Sequence, residues 1–259
     1  MRMKLTFVGV GSAFCGQDQY QTMAVLEANG GSLLIDCGSD VRFALGEMGL
    51  GFKDIDAVYI SHLHSDHIGG LEWLAFGTYF TPDCFPPKLI CNERLSHDLW
   101  HHSLRGGLES IEGKEMALDG YFDVETIELN GSLVWHGVKL TPVQTVHVMS
   151  GYSIVYSYGL LIEGCGKKIF YTADTQYCPS QIKRFYEDAD IIFQDCETAP
   201  YYSGVHAHYD DLCALRGEIK AKMLLMHYQA DPPQDVEEDG FGGFVQKGEM
   251  WSWEEMAGG

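Results

Sequence analysis

Positive charge is scarce in this chain. Only 17 Lys and Arg stand against 37 Asp and Glu over 259 residues, a formal net charge of −20. Such an excess repels the nucleic-acid backbone and anionic membrane surfaces alike, so a small molecule is a more natural substrate than a long RNA. Long apolar runs are missing too. No stretch approaches the eighteen or so consecutive apolar residues of a membrane span, and "MRMKLTFVGVGSAF" runs into strand-like sequence without a secretory h-region and cleavage site. Residence in the cytoplasm, with no membrane partner, is the expectation. The cysteines at 15, 37, 84, 91, 165, 178, 196 and 213 include no C-x-x-C pair. That argues against a structural zinc or a redox dithiol, and they read as reduced core residues.

Apolar content, by contrast, is ample: 46% of residues are hydrophobic, enough for a large core in one domain spanning 1–259. "KLTFVGVGSAF" and "GGSLLIDCGSD" each read as a short strand ending at a glycine turn. "DVRFALGEMGL" has helical spacing after Asp40 as N-cap, and "DIDAVYISHLH" is a nearly continuous apolar strand. "GGLEWLAFGTYF" predicts a helix, "PPKLICNERLSHDLWHHSL" a strand feeding a helix, and "GYFDVETIELNGSLVWHGVKLTPVQTVH" a set of paired strands. "YGLLIEGCGKKIFYTADT" is a hairpin turning at Gly164–Gly166. A helix at "PSQIKRFYEDAD", a strand at "IIFQDC", a helix at "YDDLCALRGEI" and a strand at "KMLLMHYQ" follow. Strand-rich blocks flanked by helices predict an α/β (α+β) arrangement of two packed sheets under outer helices. The acidic, Gly-rich tail still carries "GFVQKGEMWSW", which predicts a terminal hairpin.

One segment concentrates ligand chemistry. "YISHLHSDHIGG" places His62, His64, Asp66 and His67 where an apolar strand ends. His62 and His64 can project the same way with Asp66 and His67 following on the turn, so one segment can serve two neighbouring metals. A histidine-rich surface turn would look the same locally, but it would say nothing about the rest of the chain. The rest supplies partners: His147 in "VQTVHVMSG", Asp174 in "FYTADT" and His227 in "LLMHYQ" each follow an apolar strand.

With these residues in this order, the sequence resembles the metallo-β-lactamase superfamily, whose pattern is H-x-H-x-D-H followed by a His, an Asp and a further His at separate strand ends. The resemblance runs from "FVGVGSAF" and "LLIDCG" through "ISHLHSDHIGG" and "YTADT" to "LLMHYQ". It implies a four-layer αββα sandwich with a two-metal site at one edge of the sheets. His62, His64 and His147 would hold the first ion, Asp66, His67 and His227 the second, and Asp174 would bridge them. Imidazoles and carboxylates suit Zn²⁺, and also Mn²⁺ or Fe²⁺. Two such divalent ions acidify a shared water and stabilise charge on an attacked phosphoryl or acyl group, so the implied reaction is hydrolysis.

Within the superfamily, an Asp at 174 is found where zinc β-lactamases of the commonest kind carry Cys, and the missing secretory signal also argues against antibiotic hydrolysis. "DADIIFQDCET", "VHAHYDDLCAL" and "IKAKMLLMHYQ" are similar to the closing part of ribonuclease Z and the related cyclic-nucleotide phosphodiesterases. That similarity implies that Asp195 orients a histidine, His206 or His208, which protonates the leaving ribose oxygen, while Asp66 is both a ligand and the orienter of the attacking water. The region from Gly70 to Leu129 lacks the long basic, Gly- and Pro-rich arm with which ribonuclease Z grips transfer RNA. The expected activity is therefore a phosphodiesterase acting on a nucleotide-sized phosphodiester such as a cyclic nucleotide. Phage-encoded enzymes that destroy cyclic-nucleotide alarm signals are of this kind. Ribonuclease Z-like RNA cleavage, a glyoxalase II-like thioesterase and a non-catalytic metal-binding protein are the alternatives. Tyr201, Tyr202 or Tyr209 could stack on a nucleobase, or pack the loop. His97, His101 and His102 have helical spacing and read as a solvated helix face in preference to a third metal site. A homodimer is implied by the resemblance alone.

Overall fold

Alternation decides which way each strand faces. The computed structural model describes residues 1–16 and 18–255. Its first half contains β1 (Arg2–Gly9), β2 (Met23–Ala28), β3 (Gly31–Ile35), α1 (Val41–Glu47), β4 (Ala57–Ile60), α2 (Ser65–Ile68) and α3 (Leu71–Tyr79). Then come β5 (Lys88–Asn92), α4 (Glu93–Leu99), α5 (Arg105–Leu108), a small hairpin of β6 (Ser110–Ile111) and β7 (Lys114–Glu115), and β8 (Asp123–Ile127). The second half runs β9 (Leu133–Trp135), β10 (Val138–Met149), β11 (Ile154–Gly164), β12 (Lys167–Tyr171), α6 (Pro179–Asp188) and β13 (Ile191–Asp195). It closes with α7 (Tyr209–Cys213), α8 (Gly217–Lys220), β14 (Met223–Met226), β15 (Gly243–Phe244) and β16 (Met250–Glu254).

Fourteen of these strands form two seven-stranded sheets, in the orders β16-β1-β2-β3-β4-β5-β8 and β15-β14-β13-β12-β11-β10-β9. Leu33, Ile35 and Tyr59 point inward to meet Leu160, Ile169, Tyr171 and Phe193 of the other sheet. Their neighbours Leu34 and Val58 point outward under Leu45, Leu74 and Leu99 of α1, α3 and α4. On the far side Phe170, Ile192 and Leu225 pack under Ile182, Leu212 and Ile219 of α6, α7 and α8. Three apolar layers thus separate four layers of secondary structure, the expected αββα arrangement. Among the described residues no helix is long and apolar enough to cross a membrane.

Both sheets contain parallel strands whose C-terminal ends reach one edge. β3, β4, β5 and β8 are parallel to one another, as are β12, β13, β14 and β15. At that edge the sheets are tied together: Tyr158 N–H of β11 donates to Ser61 O at 2.9 Å, and the buried Tyr59 hydroxyl donates to Tyr158 O at 2.8 Å.

Several details depart from the pattern read in the sequence. β1 and β3 share a sheet as expected, but β2, a strand not read from the sequence, lies between them. β8 and β9 do not pair; they close different sheets. Asp40 stands at the N-cap of α1 without a capping bond from its side chain, which instead accepts from Gln21 N–H at 3.3 Å. The stretch "YDDLCALRGEI" forms two short helices. The tail forms no hairpin: β15 extends the second sheet beside β14 and β16 extends the first beside β1. Lys247 between them pairs with Glu47 at 2.8 Å. Residues 256–259 lie outside the described residues.

Trp251 of β16 closes the inner core at this seam, with ring centroids 5.8 Å from Phe7 and 4.9 Å from Phe193. Replacing Trp251 with Ala removes an aromatic contact to both sheets at once. Urea unfolding should show a loss of about 2–3 kcal/mol, and a loss below about 0.5 kcal/mol would mean that β16 merely decorates the edge.

Candidate metal centre

The site is assembled from strand exits. β3 leads into Asp36, β4 leads through Ser61 into His62, β12 leads through Thr172 and Ala173 into Asp174, β13 ends in Asp195, and β14 leads into His227. Asp36, Ala173 and His227 have φ of 60°, 50° and 61°, the left-handed region that non-glycine residues seldom occupy. Such backbone is retained where packing overdetermines it, and here it turns the chain sharply at the sheet edge. His147 differs from expectation. It does not follow β10 but lies within it, at the register shift between Val146 and Val148. An extra residue at a bulge is released from the ladder, which re-aims its side chain.

The His62–His67 segment is seated on the loop after β3. Cys37 N–H donates to His67 O at 2.7 Å, and Gly70 N–H donates to Cys37 O at 2.9 Å. A Cβ at Gly38 would collide with the Asp66 carbonyl, so that glycine permits the close approach of the two loops.

Three donor groups share Asp174, the third made of Asp174, Asp195, His206 and His227. One donor atom each from His62, His64, His147 and Asp174 fall within 4.8 Å of one another, and the same holds for Asp66, His67, Asp174 and His227. The Asp174 carboxylate divides between the first two. Its Oδ2 lies 3.7 Å from His62 Nε2 and 3.6 Å from His147 Nε2, whereas Oδ1 lies 3.2 Å from His67 Nε2 and 3.5 Å from His227 Nε2. Asp66 Oδ2 lies 3.2 Å from His67 Nε2 and 3.3 Å from His227 Nε2.

The far ring nitrogens are held from behind. The Ser61 hydroxyl donates to Asp36 Oδ2 at 2.8 Å and so accepts from His62 Nδ1–H at 3.1 Å. His67 Nδ1–H donates to Asp36 Oδ2 at 2.8 Å, and His147 Nδ1–H donates to Val205 O at 2.9 Å. Each bond fixes the tautomer that leaves Nε2 with a lone pair towards the cluster. His62 Nε2 and His67 Nε2 are buried with no hydrogen-bond partner among the described residues.

Electrostatics agree. Burial opposes ionisation of Asp66 and Asp174, yet the surrounding imidazoles hold both carboxyls below the usual carboxylate range. Burial also opposes the imidazolium form of His67 and His227, but the carboxylates prevail; His67 is pushed well up and His227 up to about 10. Burial keeps His62, His64 and His147 low, and therefore neutral donors. The carboxylates call for positive charge, which protonated His67 and His227 can supply and divalent cations can supply instead. Orphaned imidazole nitrogens, split carboxylate oxygens and an all N/O donor set fit divalent metal ions.

Beside these groups stands His206. Its Nδ1 is 2.8 Å from Asp195 Oδ2 and 3.9 Å from Asp174 Oδ2, with the ring 5.1 Å from that of His147 and 4.8 Å from that of His227. Burial disfavours its cation, but the Asp195 carboxylate wins and raises the pKa. His208 is not brought to the cluster. Its Nδ1 caps α7 by accepting from Asp210 N–H at 3.2 Å, and its Nε2–H donates to Ala199 O at 2.9 Å. Of the tyrosines, Tyr209 is buried with its hydroxyl on Asp239 at 2.6 Å, whereas Tyr201 and Tyr202 are exposed. His97 and His102 are exposed and share Asp98, on a stretch where α4 passes into a π-helical turn at Trp100–Leu104. All eight cysteines are free. Sequence reasoning assigned no role to Asp36 or Ser61. The signal was there in "LLIDCG", a lone carboxylate ending an apolar strand, as at Asp174.

The model of the family described as "Anti-Pycsar protein Apyc1" matches residues 3–251. An Anti-Pycsar protein Apyc1 of Paenibacillus xerothermodurans is 34% identical over 260 residues, covering 98% of this chain and 99% of the relative. One from Bacillus phage vB_BsuM-Goe3 is 32% identical over 254 residues, covering 95% and 96%. Among solved structures, the metallo-β-lactamase fold protein YhfI from Bacillus subtilis superposes with a TM-score of 0.75 at 21% identity, covering 97% of this chain and 99% of that one. The fold is therefore the metallo-β-lactamase fold.

Asp36→Asn removes an acceptor shared by Ser61 and His67 while keeping the shape. Chelator-competition titration should show metal affinity reduced about 10- to 100-fold, and an unaltered affinity would refute the orienting role. Asp174→Ala should lower the bound-metal content itself, read by elemental analysis.

Proposed function

The chain belongs to the Anti-Pycsar protein Apyc1 family, and on that premise we propose that it is a metal-dependent phosphodiesterase cleaving a nucleotide-sized phosphodiester, foremost a cyclic nucleotide. The observation that carries this reading is the Asp195–His206 pair beside the first two donor groups, 2.8 Å between Oδ2 and Nδ1. A ribose oxygen is a poor leaving group and needs a proton as it departs, whereas a thiolate leaves without one. An acid next to the metal cluster therefore favours phosphodiester over thioester hydrolysis.

Asp195 holds the imidazole by Nδ1, leaving Nε2–H to deliver that proton. The carboxylate is itself positioned by Thr175 N–H at 2.8 Å. Asp66 has Oδ2 against His67 and His227, and its second oxygen orients the attacking water. Two divalent ions, Zn²⁺ or else Mn²⁺ or Fe²⁺, held by His62, His64 and His147 and by Asp66, His67 and His227 with Asp174 between, would acidify that water and neutralise the phosphoryl oxygens. A net charge of −20 disfavours a long polyanion and supports a small one.

Leaving-group dependence tests the acid. His206→Asn should lower kcat on a 3′,5′-cyclic nucleotide by about 100- to 1,000-fold. On bis-p-nitrophenyl phosphate the loss should stay below about tenfold, because p-nitrophenolate departs without a proton. Equal losses on both would remove His206 from this role. A metal-loaded protein inert towards both substrates would overturn the phosphodiesterase reading.

A further inference from the structure

The loop between β13 and α7 carries more than His206. Tyr201 and Tyr202 lie on its outer part, 67% and 58% exposed. Tyr202 differs in being braced: its ring stacks on His208 with centroids 3.9 Å apart and planes 19° from parallel. His208 in turn is fixed at both nitrogens, by Ala199 O and by Asp210 N–H. The Tyr202 hydroxyl lies 3.4 Å from Asp210 Oδ2. One face of the tyrosine is therefore covered and held, while much of the ring is left to solvent.

The loop around it is fastened to the site. Ser203 N–H donates to the buried Glu197 Oε2 at 2.9 Å, and Glu197 N–H donates to Ala207 O at 2.8 Å. Val205 O takes the bond from His147 Nδ1–H at 2.9 Å. Because His206 and His208 are two residues apart, their Cα atoms are at most about 7 Å apart. One short loop therefore carries both the braced ring and His206, and is tied to the cluster through Val205. What sets Tyr202 apart is the brace: a ring held flat from behind offers a fixed π-face of the kind on which a nucleobase stacks.

We propose that Tyr202, backed by His208, is the nucleobase platform of the site: the base stacks on the open face of Tyr202 while the phosphodiester reaches His206. This subsite rests on the phosphodiesterase reading and adds the part of the substrate that reading leaves unplaced. His208 keeps a place in the site's architecture as the support of that platform.

The test compares a 3′,5′-cyclic nucleotide with the same cyclic ribose phosphate lacking a base, using the metal-loaded full chain. Tyr202→Ala should lower kcat/KM about 10- to 100-fold more for the nucleotide than for the base-free substrate, mainly through KM. Tyr202→Phe should restore most of the difference, and Tyr201→Ala, at a ring with no brace, should cost less than about threefold. Equal losses on the two substrates, or a nucleotide-specific loss below about threefold, would overturn the platform. Turnover of the base-free substrate by the unaltered protein keeps the two questions separate. If neither substrate is hydrolysed, the phosphodiesterase reading fails and the platform falls with it.

Discussion

Four buried aspartates at one sheet edge set the terms for the rest of the molecule. Asp36, Asp66, Asp174 and Asp195 are each 5% exposed or less, and buried negative charge is stable only when paired with hydrogen-bond donors or cations. Histidines are the partners the chain provides. Asp36 takes His67 and Ser61, Asp195 takes His206 and Thr175, and Asp66 and Asp174 face the inner nitrogens of the cluster. The outer two carboxylates thereby aim the imidazoles, and the inner two create the demand for divalent charge. Removing either pair leaves the other without its function.

That arrangement needs a scaffold in which many strand exits converge. Parallel pairing supplies it, because β3, β4, β12, β13 and β14 all deliver their C-terminal ends to one edge, where open α/β sheets place ligands. The Tyr59 and Ser61 bonds to Tyr158 then stitch the two sheets together beside the cluster. Donors from both halves of the chain are thus referenced to a single rigid seam.

Most of the cluster was legible in the sequence for a simple reason. A lone histidine or aspartate after a run such as "AVYI" or "MLLM" has no apolar role, so its identity stands out. Asp36 obeys the same rule but belongs to none of the donor groups; it bonds Ser61 and His67, and contacts of that kind leave no spacing pattern. The bulge at His147 is a matter of register, which appears only once β11 is paired with it. His206 and His208 were equivalent on paper because they share residue type and neighbourhood. What separates them is that one side chain meets Asp195 while the other turns back to cap α7. The tail misled for a related reason, since two aromatic strands six residues apart suggest a hairpin, and only the open edges beside β1 and β14 show that each has a better partner.

That tail has a consequence for how the sandwich closes. β15 and β16, within residues 243–254, complete one sheet each, and Trp251 covers Phe7, more than two hundred residues away along the chain. Until β16 docks, β1 presents an unpaired outer edge and the seam that Trp251 closes stays open. Closing this seam is a contact of long sequence separation, whose loop-closure entropy must be met before the contact rewards it. Asp66 and Asp174 likewise meet His227 only when distant parts of the chain come together, so the cluster assembles through the same non-local closure.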